Sequence, residues 1–169
     1  MNNIITVKPS GRLFWQDKEY RCSVGKNGVT KEKQEGDGKT PVGCFSIRRI
    51  FYRSDRISKP ESAFLIKELS PNDGWCDDPN DSNYNKYVKL PYSSSHENLW
   101  REDNLYDIIV ILGYNDDPPV PGKGSAIFMH LARPDYSPTA GCIALSLPDL
   151  LKLLKGFDVD SKVCVLDAE

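Results

Sequence analysis

The residue types best suited to covalent chemistry meet in one segment, MHLARPDYSPTAGCIALS, which runs from Met129 to Ser146. It contains one of only two histidines, His130, and one of five cysteines, Cys142. A free cysteine thiol has a pKa of about 8.5, so it needs a neighbouring base or a positive potential to act as a nucleophile at neutral pH. The loop between the two residues is long enough to bring their side chains together. The segment therefore predicts Cys142 as a nucleophile and His130 as its base.

Two alternatives to this interpretation are open at this point. Free cysteine is among the most buried residue types, so Cys142 and His130 are also compatible with an ordinary core. Cys76, in the loop sequence GWCDDP, is a rival nucleophile with His96 as its base. Gly141, directly before Cys142, favours the catalytic interpretation because glycine permits a sharp turn and a close approach of substrate to the backbone.

The other cysteines and the remaining motifs indicate little chemistry. Cys22, Cys44 and Cys164 lie in strand-like apolar patterns and are expected to be core thiols. Five irregularly spaced cysteines do not indicate a disulfide framework, and free thiols fit a reducing compartment, although two pairs with one reactive thiol would also fit. The sequence GDGKT lacks the spacing of a phosphate-binding loop. No metal site and no cofactor are predicted.

Composition excludes several classes of partner. A net charge of −2 and a pI of about 5.7, without a basic run, argue against nucleic acid. No stretch approaches the roughly 20 apolar residues of a membrane span. The start of the chain, MNNIITVKPS, shows no signal peptide, which favours the cytoplasm. The length predicts a single domain over residues 1–169.

Hydrophobic patterning predicts a mainly β fold with one or two short helices. The clearer helix spans Leu147–Lys155, capped by Ser146 and ended near Gly156. A second is expected to begin at Ser94, since Glu97 completes a capping box in SSSHENLWRED. Residues 25–43 and 70–85 are predicted to be loops. The strands are predicted at Ile4–Val7, Arg12–Gln16, Tyr20–Val24, Phe45–Tyr52, Asp107–Leu112, Ala126–Leu131 and Lys162–Leu166.

The segment PTAGCIALS, with a histidine upstream, resembles the active-site segment of the L,D-transpeptidase (YkuD-type) family. Gly141, Cys142 and Ile143 match the family pattern. The upstream sequence GDGKTPVGCFSI also resembles the family's Gly-x-x-Thr-Pro-x-Gly-x-Phe element, and SKVCVLD resembles its closing strand. The departures are Thr139 for serine, Ala140 for a second histidine, Ala144 for arginine and Leu131 for the glycine after the histidine.

The resemblance implies a β-sandwich-like catalytic domain with a mixed sheet, acting on peptidoglycan stem peptides. Cys142 would attack the L-to-D peptide bond after the third stem residue, and His130 would take the thiol proton and return it to the leaving amine. The carbonyl of Leu131 would orient the imidazole. The N–H groups of Gly141 and Cys142 would face the tetrahedral oxygen.

Because alanine stands at position 144 in place of the family arginine, other side chains would have to bind the substrate. Arg101 and Arg133 are the proposed replacements for the arginine. Arg101 is equally compatible with a solvated charge on the predicted helix, and Glu97 is equally compatible with a purely structural role in the capping box. A carbapenem or iodoacetamide is expected to modify Cys142 at neutral pH. The residues expected to bind substrate are Thr139, Arg101, His96, Glu97, Tyr136 and Trp75.

Three functions are compatible with the resemblance. An L,D-transpeptidase would form 3-3 cross-links or exchange D-amino acids during cell wall biogenesis, which places it in the periplasm or cell wall. An L,D-carboxypeptidase would release terminal D-alanine during murein recycling in the cytoplasm, as the missing leader favours. A non-catalytic peptidoglycan-binding β-domain is favoured by the alanines at 140 and 144.

Overall fold

Strands make up nearly all of the regular structure in the computed structural model, which describes residues 3–169. Residues 3–169 contain one helix, α1 (Leu147–Gly156). This confirms the prediction of a mainly β fold. The strands are β1 (Ile4–Lys8), β2 (Arg12–Trp15), β3 (Lys18–Arg21), β4 (Val29–Thr30), β5 (Thr40–Pro41), β6 (Gly43–Tyr52), β7 (Ile66–Glu68), β8 (Asp73–Cys76), β9 (Tyr87–Lys89), β10 (His96–Asn98), β11 (Ile108–Leu112), β12 (Phe128–Leu131), β13 (Ile143–Leu145) and β14 (Lys162–Val165).

The main sheet is mixed, as predicted. Its strand order is β13-β12-β11-β6-β14-β1-β2-β3, with β7 paired to β6. The pairs β1–β14, β12–β13 and β6–β7 are parallel, and the other pairs in this sheet are antiparallel. An isolated antiparallel bridge joins Ser23, just after β3, to Ala144 in β13. This bridge links the two ends of the strand order.

Side-chain alternation in β11 separates two hydrophobic cores. Ile108, Val110 and Leu112 pack into the larger core, whereas Ile109 and Ile111 pack into the smaller one on the opposite face. All five residues of β11 are buried, which explains why the run reads as continuously apolar. The smaller core also contains Cys142.

Helix α1 follows the sequence prediction closely. Ser146 is the N-cap, and its side chain accepts a hydrogen bond from Asp149 N. Leu150, Leu153 and Leu154 are buried against the larger core. The helix thereby covers the face of the sheet opposite the smaller core.

The predicted helix after Ser94 is wrong. Residues 96–98 form β10, which pairs with β8, and β8 pairs in turn with β9. Cross-strand hydrogen bonding to residues 73–76 therefore outweighs the local capping signal. The segment 70–85, which was predicted to be a loop, accordingly contains the strand β8. Likewise, residues 25–43 contain the short parallel pair β4–β5.

Two cysteines predicted to be free core thiols form a disulfide. Cys44 on β6 and Cys164 on β14 are direct cross-strand partners, and their sulfur atoms are bonded. Cys22, Cys76 and Cys142 are free and buried. The argument that free thiols favour a reducing compartment therefore loses most of its basis. Across residues 3–169, no helix has the length and apolar character needed to cross a membrane.

Candidate active site

The parallel pairing of β12 with β13 places the histidine and the cysteine on one face. His130 lies opposite Ala144 in this register, and Met129 lies opposite Ile143. Side chains at alternate positions point the same way, so Cys142, two residues before Ala144, shares the face of His130 and packs with Phe128. Cys142 and His130 are therefore diagonal neighbours at the edge of the smaller core.

Both side chains line the same cleft, whose volume is about 390 Å³. The cleft lies where the turn before β13 meets β10 and the loop between β4 and β5. Its walls combine charged side chains with apolar ones, so a peptide ligand would find both kinds of contact there. Besides Cys142 and His130, the charged and phenolic residues that line it are Lys33, Glu35, Asp77, Glu97, Arg101, Tyr106 and Arg133.

The environment of Cys142 favours the neutral thiol. Its Sγ donates a hydrogen bond to Ala126 O at 3.2 Å and accepts one from Phe128 N at 3.4 Å. Burial and, to a smaller extent, the Glu97 carboxylate raise the pKa of the thiol to about 12, although Phe128 N–H and Lys33 act in the opposite direction. The predicted alkylation at neutral pH is therefore not expected of this conformation, because little thiolate forms.

His130 is also uncharged. Its Nδ1 donates to Leu131 O at 2.9 Å, the contact that the family resemblance implies. Because a carbonyl oxygen can only accept, this contact fixes the proton on Nδ1 and leaves Nε2 as a base in the neutral ring. Burial lowers the pKa of His130 to about 4. Its ring also meets Tyr106 edge-on, with centroids 5.2 Å apart.

The cysteine and the histidine do not form an ion pair in this structure. Within residues 3–169, the hydrogen-bond partners of Cys142 Sγ are Ala126 and Phe128, and His130 is not among them. Burial penalises the charged form of each side chain, so a neutral thiol beside a neutral imidazole is the resting state. A nucleophilic role for Cys142 would therefore require proton transfer during the attack.

A tight turn positions Cys142. Thr139 Oγ1 donates to Cys142 O at 2.6 Å and accepts from Gly141 N at 3.0 Å. Gly141 has φ +142°, and a side-chain carbon there would lie 2.9 Å from Lys39 O, so only glycine fits without strain. The hydroxyl of Thr139 is thus used within the turn. The Gly141 N–H, one of the two predicted oxyanion donors, is already engaged.

Two of the predicted binding residues reach the cleft from β10 and the residues that follow it. Glu97 accepts a short hydrogen bond from the Tyr106 hydroxyl, and burial raises the pKa of its carboxyl group. Arg101 makes a bidentate ion pair with Asp103, at 2.8 and 2.6 Å. Arg133 lies at the rim, with Nη2 3.9 Å from the same aspartate. The helix expected to carry Glu97 and Arg101 is absent, but both still face the cleft.

Three predicted binding residues lie outside the cleft lining. Trp75 is buried, donates to Asn85 Oδ1 at 2.9 Å and packs edge-on against Phe128. Tyr136 carries the Arg21 guanidinium over its ring at 4.3 Å. His96 lies on the other side of β10 from Glu97, with Nδ1 2.8 Å from Ser94 O. Each of these side chains has a structural contact in place of the predicted one.

The rival nucleophile also lies outside the cleft. Cys76 is fully buried and is the cross-strand partner of His96 in the small sheet. Burial raises the pKa of its thiol. Among the described residues, no group of three or more histidine, cysteine or carboxylate side chains could hold a metal ion.

Lys33, Glu35 and Tyr106 are cleft residues that the sequence did not single out. Tyr84 and Ser125 both donate hydrogen bonds to the Glu35 carboxylate. Lys33 and Glu35 belong to a stretch with turn-forming composition, in which nothing local distinguishes a buried charge from a solvated one. Tyr106 is brought to His130 and Glu97 only by the tertiary fold.

Fold and cleft together define a mainly β protein with a histidine on β12 and a cysteine just before β13, both facing one cleft. The family model of the L,D-transpeptidase catalytic domain (YkuD) matches residues 2–165. The chain therefore belongs to the L,D-transpeptidase catalytic domain family, as the sequence resemblance indicated.

Solved structures similar to this chain are distant in sequence. The helical cell shape determining protein Pgp2 from Campylobacter jejuni is 19% identical, with a TM-score of 0.44 over 98% of this chain and 48% of that one. An L,D-transpeptidase from Mycobacterium smegmatis is 13% identical, with a TM-score of 0.42 over 96% of this chain and 58% of that one. The chain thus spans about half the length of these proteins. A search of curated proteins found no match.

Proposed function

We propose that the protein is a cysteine acyl-enzyme that acts on peptidoglycan stem tetrapeptides, as an L,D-transpeptidase. The observation that carries the proposal is the placement of Cys142 and His130 on one face of β12 and β13, at a shared cleft. Membership of the L,D-transpeptidase family supplies the substrate class. The many charged groups of the cleft fit a peptide with free carboxylates and amines.

Acylation begins from the neutral pair. Substrate binding moves the thiol away from Ala126 O, and His130 Nε2 accepts the thiol proton as sulfur attacks the carbonyl carbon of the third stem residue. A carbon–sulfur bond forms, the carbon–nitrogen bond to D-alanine breaks, and His130 returns the proton to the leaving amine. The products are a thioester on Cys142 and free D-alanine.

Deacylation decides between two activities of the same fold. Attack on the thioester by an amine gives a cross-link or an exchanged D-amino acid and restores the thiol. Attack by water instead gives a tripeptide, which is the carboxypeptidase outcome. The disulfide between Cys44 and Cys164 supports the first, because such bonds persist in oxidising compartments such as the periplasm.

A non-catalytic peptidoglycan-binding role is the second candidate function. It is favoured by the buried neutral thiol of Cys142, whose hydrogen bond goes to Ala126 O and not to His130. The alanines at positions 140 and 144, where the family has histidine and arginine, point the same way. Binding of tetrapeptide without any turnover would establish this role.

The test is incubation with a murein tetrapeptide, with and without an acceptor amine, followed by mass spectrometry of the products. We expect Cys142→Ala to abolish release of D-alanine, because the nucleophile is lost. Cys76→Ala is the matched control and should keep most of the activity, since that thiol lies outside the cleft. A tripeptide–acceptor adduct identifies transfer, and tripeptide alone identifies hydrolysis. Equal turnover by the Cys142→Ala variant and the unsubstituted protein would refute the proposal.

A further inference from the structure

Lys33 is a buried cation in the wall of the cleft. Only 5% of the residue is exposed, although it comes from the loop between β4 and β5. Its Nζ donates to Asp37 Oδ1 at 2.5 Å. Burial opposes ionisation of Asp37, but hydrogen bonds from Lys33 Nζ and from the N–H groups of Gln34 and Lys39 lower its pKa. The ammonium is therefore held in one place by a charged partner.

Two glycines make room for the Lys33 side chain and direct it toward the nucleophile. A side-chain carbon on Gly124 would lie 2.8 Å from Lys33 Cγ and 3.2 Å from Cε. A side-chain carbon on Gly141 would lie 3.4 Å from Lys33 Nζ. The aliphatic stem thus passes Gly124, and the ammonium ends beside the backbone of the residue that precedes Cys142.

Near Gly141 and Cys142, the other groups of the cleft supply little positive charge that is free to interact with a substrate. Gly141 N–H is engaged by Thr139, and Ala144 stands where the family has arginine. Arg101 is paired with Asp103 in a bidentate bridge. The other titratable groups that line the cleft are Glu35, Asp77, Glu97, Tyr106, His130 and Arg133. Of the two charges that act on the Cys142 thiol, Glu97 opposes a negative charge on sulfur and Lys33 favours it.

We propose that Lys33 stabilises the negative charge that develops beside Gly141, first on the sulfur of Cys142 and then on the carbonyl oxygen of the substrate. The inference rests on the proposed acyl-enzyme function. A lysine ammonium has N–H donors beyond the one given to Asp37, so it can also hydrogen-bond an oxyanion. Because the charge is buried, solvent and salt screen it little. The same charge lowers the pKa of Cys142, against the larger effect of burial.

The test compares Lys33→Met with Lys31→Met. The control removes the same charge from the same segment, but Lys31 is exposed, pairs with Asp167 and lies outside the cleft. We expect Lys33→Met to lower kcat about a hundredfold with little change in KM, as for loss of an oxyanion donor. We also expect slower alkylation of Cys142 by iodoacetamide at about pH 9, where more thiolate is available. Lys31→Met should change neither rate.

A double variant, Lys33→Met with Asp37→Asn, removes both charges of the pair and avoids a buried unpaired carboxylate. It should show the same loss of kcat as the single variant, with an unfolding temperature close to that of the unsubstituted protein. If kcat and the alkylation rate match those of Lys31→Met, or if only KM rises, the inference is overturned. The alkylation comparison needs no substrate, so it tests the effect of Lys33 on Cys142 independently of turnover. If the unsubstituted protein releases no D-alanine, that result refutes the proposed function and leaves the alkylation test of Lys33 valid.

Discussion

Cys142 and His130 both occupy surroundings that favour their uncharged forms, and this determines how the pair can work. A preformed thiolate–imidazolium pair would be desolvated on both sides, with the Glu97 carboxylate opposing the thiolate. The neutral pair avoids that cost. It leaves His130 Nε2 unprotonated at neutral pH, which is the state that a general base needs.

The depressed pKa of His130 predicts a loss of stability in mild acid. Its pKa is about 4 in the folded protein, against an ordinary value of 6.5. Above pH 6.5 both folded and unfolded chains hold a neutral ring, so the contribution is fully present there. As the pH falls from 6.5 toward 4, only the unfolded chain takes up the proton, and the free energy of unfolding decreases.

Urea unfolding at a series of pH values measures this effect. The His130→Gln variant is the reference, because glutamine does not titrate. The difference in unfolding free energy between the two proteins should narrow as the pH is lowered through this range. A difference that stays constant with pH would contradict the neutral, buried histidine.

At the scale of elements, the end of α1 is limited by contact with β2. Gly156 was expected to stop the helix, but it lies within it as the last residue. A side-chain carbon at Gly156 would lie 2.0 Å from Trp15 Cη2, far inside the contact distance of two non-bonded carbon atoms. The ring of Trp15 is itself held edge-on by Phe157, with centroids 5.7 Å apart. Glycine is needed here for packing.

Gly156→Ala should therefore destabilise the protein, although glycine-to-alanine changes inside helices usually stabilise. The overlap with Trp15 is expected to cost about 1–3 kcal/mol, as in other overpacked cores. Lys155→Ala, one residue earlier and exposed, is the control and should change stability little. Chemical denaturation measures both. An increase in stability for Gly156→Ala would show that the helix end is not packed as described.

The elements that could be predicted from sequence are those whose signal is local. α1 has a cap and a periodic apolar face, and β11 and β12 are long apolar runs. The strand β10 could not be predicted, because its pairing with β8 competes with a genuine capping pattern at Ser94 and Glu97. The same pairing turns His96 away from the cleft and Glu97 toward it. Lys33 was missed because its side chain is buried against two glycines that lie far away in the sequence, Gly124 and Gly141.

At the scale of the whole molecule, the main sheet brings the two ends of the described chain to its centre. β1 and β14 are adjacent and parallel, and β14 also pairs with β6. The Ser23–Ala144 bridge connects the far strands, so the larger core is enclosed by the sheet and α1. The cleft lies on the opposite face, over the smaller core, where loops can vary without disturbing this frame.

The disulfide between Cys44 and Cys164 links the neighbouring strands β6 and β14 of the main sheet covalently. Cys44 and Cys164 are 120 residues apart in sequence, and cross-linking a long segment restricts the unfolded chain. The double variant Cys44→Ala, Cys164→Ala should lose about 2–4 kcal/mol of unfolding free energy. A reductant should lower the unfolding temperature of the unsubstituted protein and leave that of the double variant unchanged. Equal unfolding temperatures of the unsubstituted protein with and without reductant would mean that the two cysteines are free thiols, and the argument for an oxidising compartment would fail with the bond.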